Sequence, residues 1–120
     1  MKGILLTNNP AAAGEYEGKM ETMYLEGACL IDVLCLARNK VHTGHKLLTH
    51  PLSGSVKPGQ TPYKSLIISK EKGNLDLDSL KIIEDSIAIA NKQAETPVNN
   101  KELKKDYQLI DLSLIESATN

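Results

Sequence analysis

The stretch Gly-Ile-Leu-Leu-Thr-Asn-Asn-Pro at residues 3–10 joins a short aliphatic run to a strong break. A run of this length and character is typical of a buried strand, and Asn-Asn-Pro is a turn signal that ends it. The sequence therefore predicts that a sheet begins within the first ten residues. It also predicts that polar amide side chains follow its first strand directly.

Three further segments have the character of strands. Residues 20–25 hold β-compatible side chains before a Glu-Gly turn, residues 46–49 form a short aliphatic run, and residues 65–69 form another. Between the first two predicted strands, residues 11–16 suit a short helical turn that is limited by the glycines near it. With residues 3–7, these segments predict about four strands.

Three longer segments predict helices. Residues 28–43 are apolar around most of the helix circumference, which favours burial between layers. Residues 76–95 have a regular amphipathic pattern, with an aspartate at the start as the N-cap. A last helix is predicted from about residue 102 to 117, with a strand through residues 108–112 as the alternative. The predicted apolar face of this last helix consists of Leu103, Tyr107, Ile110 and Leu114, widened by Leu112 and Ile115.

The alternation of strands and helices indicates the α/β class. We expect a single small domain over residues 1–120, with about four mostly parallel strands flanked by three helices. A chain of this length suits one core. So few strands leave the edges of the sheet uncovered, and a homodimer that covers one of them is a candidate assembly.

The composition narrows the classes of partner. The formal charge is −1, the pI is about 6.3, and aromatic residues make up only 3% of the chain. Neither the basic surface nor the stacking platforms that nucleic-acid binding needs are therefore expected. No apolar run reaches the roughly 20 residues that span a bilayer, and the N-terminus has no signal-peptide core. We expect a cytoplasmic protein with neither nucleic-acid nor membrane partners.

Residues 50–65 read His-Pro-Leu-Ser-Gly-Ser-Val-Lys-Pro-Gly-Gln-Thr-Pro-Tyr-Lys-Ser and have no helical or strand periodicity. Long irregular segments inside compact domains are usually functional. Hydroxyl groups, glycine amides and two lysines give this loop anion-binding character, although it lacks the Gly-rich phosphate-binding motif. The alternative is a rigid connection whose hydroxyls satisfy its own backbone.

Ligands of open α/β sheets bind beyond the carboxyl ends of the strands, which is where several polar residues of this chain are predicted to meet. Asn8 and Asn9 would hydrogen-bond a ligand through their amides. Lys57 and Lys64 would supply positive charge, and the segment 53–55 would close around the ligand. The candidate ligand-binding residues are Asn8, Asn9, Glu26, Thr49, His50, Ser53, Ser55, Lys57 and Lys64.

A catalytic alternative rests on His50. This imidazole could act as an acid or base on a phosphorylated or acyl intermediate. It could also activate Ser53 or Ser55, with Glu26 as the orienting carboxylate. The sequence lacks the Gly-x-Ser-x-Gly turn that exposes a nucleophilic serine in hydrolases, so the second version has less support.

Neither a metal nor a cofactor is expected. His42 and His45 are three residues apart, but Gly44 is predicted to end the helix between them, which breaks the spacing of a helical metal site. His42 is expected to face solvent and His45 to bond helix or turn carbonyls. Cys29 and Cys35 do not form a Cys-x-x-Cys motif and are expected to be reduced, buried apolar residues.

The 50–65 run resembles the GrdX-like proteins, and several other segments agree with that resemblance. They are Leu-Leu-Thr-Asn-Asn-Pro at 5–10, Tyr-Leu-Glu-Gly at 24–27, His-Thr-Gly-His-Lys-Leu-Leu-Thr at 42–49, Leu-Asp-Leu-Asp-Ser-Leu at 75–80 and Leu-Ile-Asp-Leu-Ser-Leu-Ile at 109–115. The resemblance implies a small protein encoded with the glycine, sarcosine and betaine reductase systems of anaerobic amino-acid-fermenting bacteria. It implies an accessory role of unassigned molecular activity, in which the strand-end loop site would bind either a small anionic ligand or a reductase component. The resemblance assigns no catalytic residues to this chain.

Overall fold

The computed structural model describes residues 3–52, 61–92 and 100–119. None of the helices in these ranges is long and apolar enough to cross a membrane. The secondary-structure elements of the chain are, in order, β1 (Gly3–Thr7), α1 (Pro10–Tyr16), β2 (Glu21–Tyr24), α2 (Leu30–His42), β3 (Ser65–Ser69), α3 (Leu77–Lys92) and α4 (Lys101–Thr119).

The three strands form one mixed sheet in the order β2-β1-β3. β1 runs parallel to β2 and antiparallel to β3, where Leu5 lies opposite Ile67. Residues 46–49 touch the outer edge of β3 through one antiparallel bridge, between Leu47 and Ile68, and do not form a full strand. The α/β class is confirmed, but the prediction of four mostly parallel strands is wrong. Residues 46–49 contribute one bridge in place of a strand, and β1 pairs with β3 in the antiparallel direction, so only the β1–β2 pair is parallel.

Helices cover both faces of the sheet, so the domain has three layers. α2 and α3 pack on one face, where their apolar side chains meet Ile4 and Leu6 of β1. α1 and α4 lie on the other face, where Leu5 and Ile67 point. The three longer helices are confirmed, and α1 is a fourth that replaces the predicted short turn. Asn9 explains α1, because its side chain accepts a hydrogen bond from the Ala11 amide at the N-terminus of the helix.

The region around α2 confirms the prediction for His42, whereas His45 bonds a carbonyl of strand β3 instead of a helix or turn carbonyl, and the predicted burial of Cys29 is wrong. His42 is exposed, whereas His45 is buried and its Nδ1 lies 2.7 Å from the carbonyl oxygen of Ser69. Gly44 follows the helix with φ of +110°, the left-handed conformation that favours glycine at a helix end. Cys29 is exposed and is the N-cap of α2, where its backbone amide donates a hydrogen bond to the Asp32 carboxylate. Cys35 is half-buried. Neither cysteine forms a disulfide.

α4 docks through one edge of its predicted apolar face. The residues it buries against the sheet are Asp111 and Ile115. Leu103 and Ile110 keep 42% and 40% of their surface exposed. The alternative strand through residues 108–112 is wrong, since these residues lie inside the helix. The apolar periodicity of this segment therefore predicted the helix correctly, and of its predicted apolar face Ile115 and Leu112 pack into the core while Leu103 and Ile110 remain exposed.

Candidate functional site

The ends of the strands bring distant polar residues to one edge of the sheet. Thr7 at the end of β1 lies opposite Ser65 at the start of β3. Thr49 reaches the same region, since its Oγ1 accepts a hydrogen bond from the amide of Ile67 at 3.0 Å. Glu26 also follows a strand, but it is exposed and lies beside Tyr24. Partial burial, the charge of Glu26 and the charge of Tyr63 together raise the pKa of the Tyr24 phenol.

Asn8 joins three separate segments of the chain. Its Nδ2 donates to the carbonyl oxygens of Ala28 at 2.9 Å and Pro62 at 2.8 Å. Its Oδ1 accepts from the amide of Lys64 at 2.9 Å. Because these bonds use both the donor and the acceptor of its side chain, Asn8 fixes the position of Lys64.

A buried polar cluster, which we call the latch, consists of Thr7, Asn9, Ser65 and Asp111. The Nδ2 of Asn9 donates to Asp111 at 2.9 Å and to the carbonyl oxygen of Gln108. Ser65 donates to the same carboxylate through its amide at 3.1 Å and through its hydroxyl at 2.6 Å. The latch therefore ties α4 to the ends of β1 and β3.

The direction of the hydrogen bonds within the latch follows from the chemistry of its members. An ionised carboxylate can only accept hydrogen bonds, so the Ser65 hydroxyl must donate its single proton to Asp111. The Thr7 hydroxyl, 2.7 Å from that of Ser65, must then be the donor between the two. Thr7 in turn accepts from the amide of Asn9 at 2.9 Å. The cluster is a one-way chain that ends on the carboxylate, a well-defined and rigid arrangement.

A narrow cleft lies next to the latch, between the strand ends and α4. Its cavity volume is about 10 Å³, which is room for about one water-sized group. We call it the strand-end cleft. The described residues that line it are Thr49, His50, Lys64, Ser65, Asp111, Leu114, Ile115 and Ala118.

Lys64 is the unusual member of this lining, because only 9% of its surface is exposed. Within the described residues its ammonium takes part in no ion pair and donates no hydrogen bond. Among the described residues, every polar side-chain atom that is fully enclosed has a hydrogen-bond partner. Because the Lys64 ammonium has none, it must still be in contact with solvent. Burial lowers the pKa of Lys64, and the charge of Asp111 only partly opposes that effect.

His50 lies at the exposed end of the cleft. Its Nδ1 accepts a hydrogen bond from the amide of Leu52 at 3.1 Å. An imidazole nitrogen that accepts carries no proton, so the proton of the neutral ring is on Nε2.

Some predicted site residues are together and others lie outside the described chain. Thr49, His50 and Lys64 line the same cleft. Asn8 and Asn9 do not line it but hydrogen-bond two residues that do, Lys64 and Asp111. Ser53, Ser55 and Lys57 fall outside the described residues. Among the residues that are described, no three histidine, cysteine or acidic side chains converge as a metal site would need.

The sequence predictions missed Ser65 and Asp111, although both line the cleft. Asp111 interrupts the run Leu-Ile-Asp-Leu, and a carboxylate surrounded by apolar residues in an amphipathic helix was a usable signal. Ser65 was assigned to the end of the irregular segment 50–65 and to the start of a strand, but not to the candidate ligand-binding residues. Nothing in its local sequence distinguishes it from Ser69 at the other end of that strand.

Comparison with known proteins identifies one family. The family model described as GrdX-like protein matches residues 4–120, which is nearly the whole chain. Neither a curated protein nor a solved structure matches.

Proposed function

Because the chain belongs to the GrdX-like protein family, we propose that it is an accessory protein of the glycine, sarcosine or betaine reductase systems. We further propose that it acts by binding a small anionic ligand at the strand-end cleft. The reductase context is drawn from the family, and the ligand class from the chemistry of the cleft.

The observation that supports an anionic ligand is the environment of Lys64. Placing an ammonium where only 9% of the residue is exposed costs free energy unless a partner compensates for the lost water. The described residues supply no carboxylate within 4 Å of it. A carboxylate or phosphate oxygen in the cleft would provide the missing partner.

Asp111 is the one acidic residue among the described residues that line the cleft, and the hydrogen bonds of the latch weaken its repulsion of a bound anion. Its two oxygens already accept three hydrogen bonds, from the Ser65 amide, the Ser65 hydroxyl and the Asn9 amide group. These donors neutralise much of the field that the carboxylate would otherwise direct into the cleft. Thr49 and Lys64 can then face an anionic oxygen.

The location of the cleft in the sheet also fits ligand binding. The connection from β1 leads to β2 on one side, while residues 46–49 and β3 lie on the other side of β1. Open α/β sheets bind ligands at such a point, where connections leave a strand in opposite directions. The volume of about 10 Å³ limits the inserted part to one or two heavy atoms, such as an acid oxygen.

His50 supports binding better than acid/base catalysis. With Nδ1 bonded to the Leu52 amide, the neutral ring carries its proton on Nε2. A general base needs an unprotonated nitrogen that faces the substrate, but the unprotonated Nδ1 of His50 already accepts a hydrogen bond from the Leu52 amide. We therefore keep catalysis by His50 as the rival function.

A thermal-shift titration tests the proposal. Phosphate, acetate, glycine and acetyl phosphate would be added at constant ionic strength, and the melting temperature measured. A ligand at about 100 times its Kd stabilises the folded state by about 2.7 kcal/mol, which is roughly 10 °C for a domain of this size. The Lys64→Met variant should lose that shift.

The matched control is Lys72→Met, because Lys72 is exposed and does not line the cleft. It should keep the full shift. If none of the anions raises the melting temperature, or if both lysine variants lose the shift equally, the cleft is not the binding site. His50→Ala should weaken binding as well; unchanged affinity together with loss of an enzymatic turnover would favour the catalytic rival.

A further inference from the structure

The two walls of the strand-end cleft differ in chemical character. The wall formed by the strand ends carries hydrogen-bonding groups from Thr49, Lys64 and Ser65. The wall formed by α4 holds the carboxylate of Asp111, which is already bonded within the latch. The other described residues of the α4 wall are apolar, namely Leu114, Ile115 and Ala118. A ligand in the cleft therefore meets donors on one side and mostly hydrocarbon on the other.

Two donors on the strand-end wall have no acceptor among the described residues. One is the ammonium of Lys64, a residue that is only 9% exposed. The other is the hydroxyl of Thr49, which accepts a hydrogen bond from the Ile67 amide but donates its own proton to no described atom. Ser65 differs, because its proton is donated to Asp111. The cleft therefore offers an anion one ammonium and one hydroxyl.

The position of Lys64 is fixed through its backbone. Its amide donates to the Oδ1 of Asn8 at 2.9 Å, and its carbonyl oxygen accepts from the Asn8 amide at 3.4 Å. Asn8 is itself buried and bonded to the carbonyl oxygens of Ala28 and Pro62. Because the base of the Lys64 side chain is held on both sides, the ligand must fit the cleft as it stands.

The size of the cleft limits the shape of the group that enters. Its volume of about 10 Å³ is room for one water-sized group. A carboxylate is flat, so it can insert one oxygen edge-on and leave the other at the mouth. A phosphate or sulfonate is tetrahedral, and inserting one of its oxygens brings further oxygens against Leu114 and Ala118, which donate no side-chain hydrogen bonds. The shape therefore favours a flat acid group.

The charge of the cleft favours a group with a single negative charge. Among the described residues of its lining, the lysine and the aspartate carry opposite charges that nearly cancel. A monoanion brings the sum to about −1, and a dianion brings it to about −2. The hydration energy that an ion loses on entering a poorly hydrated site rises with the square of its charge, so a dianion loses about four times as much as a monoanion.

We infer that the ligand of the strand-end cleft is a small carboxylate monoanion and that the cleft discriminates against phosphate and sulfonate groups. The inference rests on the proposed function, since it requires that the cleft bind an anion. One carboxylate oxygen accepts from the Lys64 ammonium and the Thr49 hydroxyl. The carbon next to the carboxylate lies against Leu114 and Ala118 at the mouth. The cleft recognises the acid group, and the rest of the ligand stays outside it.

Three anions that differ in shape or charge test the inference. Acetate is a flat monoanion, methanesulfonate is a tetrahedral monoanion, and phosphate at about pH 8 is mainly a tetrahedral dianion. Isothermal titration calorimetry of the whole chain at constant ionic strength would give their dissociation constants. We expect acetate to bind at least about tenfold more tightly than either of the other two.

The outcomes separate this inference from the proposed function. If phosphate or methanesulfonate binds as tightly as acetate and Lys64→Met abolishes that binding, the cleft is an anion site but the inference is overturned. If none of the three anions binds, or if Lys64→Met leaves acetate binding unchanged, both the inference and the proposed function are wrong. Circular dichroism would establish that the variant folds.

A pair of added lysines tests the reason for the discrimination. Ala118 is exposed and lines the cleft, so Ala118→Lys adds a cation to the apolar wall. We expect this variant to bind phosphate at least about tenfold more tightly than the parent does, with a much smaller change for acetate. The matched control is Ser113→Lys, an exposed position on the same helix about 140° around its axis from Ala118. An equal gain in both variants, or no gain with Ala118→Lys, would contradict the inference.

Discussion

The two faces of the sheet are covered by helices in different ways. On the α2/α3 face, a large apolar cluster holds the layers together, and its members include Val33, Leu34 and Ile83. On the α1/α4 face, the buried apolar cluster is small and the latch supplies hydrogen bonds from Asn9 and Ser65 to Asp111. One face depends on burial of apolar surface, whereas the other depends on a few directional contacts.

This difference has consequences for function. Apolar packing tolerates small shifts, whereas a hydrogen-bonded cluster specifies one position for each of its members. The candidate cleft lies on the face with the latch, where α4 must be held at a fixed distance from the strand ends. We expect the two faces to respond differently to substitution.

The largest effect is expected from Ile83→Ala on the α2/α3 face. Ile83 is fully buried in the larger cluster, and truncation of such a side chain leaves a cavity. We expect the free energy of unfolding to fall by about 4 kcal/mol. Urea denaturation followed by circular dichroism measures it. Ile89→Ala on the exposed side of the same helix is the control and should cost far less.

The second effect is expected from Asp111→Ala on the opposite face. The change leaves the Ser65 amide and the Asn9 Nδ2 with one acceptor fewer in a buried place. We expect a loss of about 3 kcal/mol, concentrated in the docking of α4. Hydrogen exchange should show α4 opening before the α2/α3 face does.

Asp106→Ala is the control for this prediction, since Asp106 is an exposed carboxylate on the same helix. A double-mutant cycle of Asp111→Ala with Ser65→Ala should give a coupling of about 1 kcal/mol or more. Purely additive effects would mean that the latch does not act as a unit. Uniform exchange across the whole domain would remove the distinction between the two faces.

The smallest effect is expected from Lys64→Met, which should increase the free energy of unfolding, whereas the two changes above decrease it. Since burial lowers the pKa of this lysine below its ordinary value of 10.5, the unfolded chain holds the proton more tightly than the folded state. The free energy of unfolding should therefore rise with pH between the lowered value and 10.5. Lys64→Met should abolish that rise and add about 1 kcal/mol of stability near neutral pH.

Urea denaturation from pH 7 to pH 10 would measure this dependence, with Lys72→Met as the control that keeps it. A Lys64→Met variant that is less stable than the parent would show that the ammonium already has a favourable partner. In that case the main support for an anionic ligand would be lost.

Local sequence patterns predicted the elements well. The boundaries of β1 and β3 agree with the predicted strands, because aliphatic runs bounded by turn residues have few alternatives. α2 and α3 follow from their periodicity. Of the residues predicted to form the site, Thr49, His50 and Lys64 line one cleft at the strand-end edge, while Glu26 lies beside Tyr24.

What the sequence by itself determined is the set of strands and helices and the chemical character of the residues between them, since both depend on near neighbours along the chain. The tertiary structure alone decided that β3 runs antiparallel, that α4 turns Asp111 toward Ser65 across 46 residues, and that Lys64 is buried beside them. These outcomes depend on contacts between distant segments. The energy of such contacts is set by how the layers pack and has no counterpart in local periodicity.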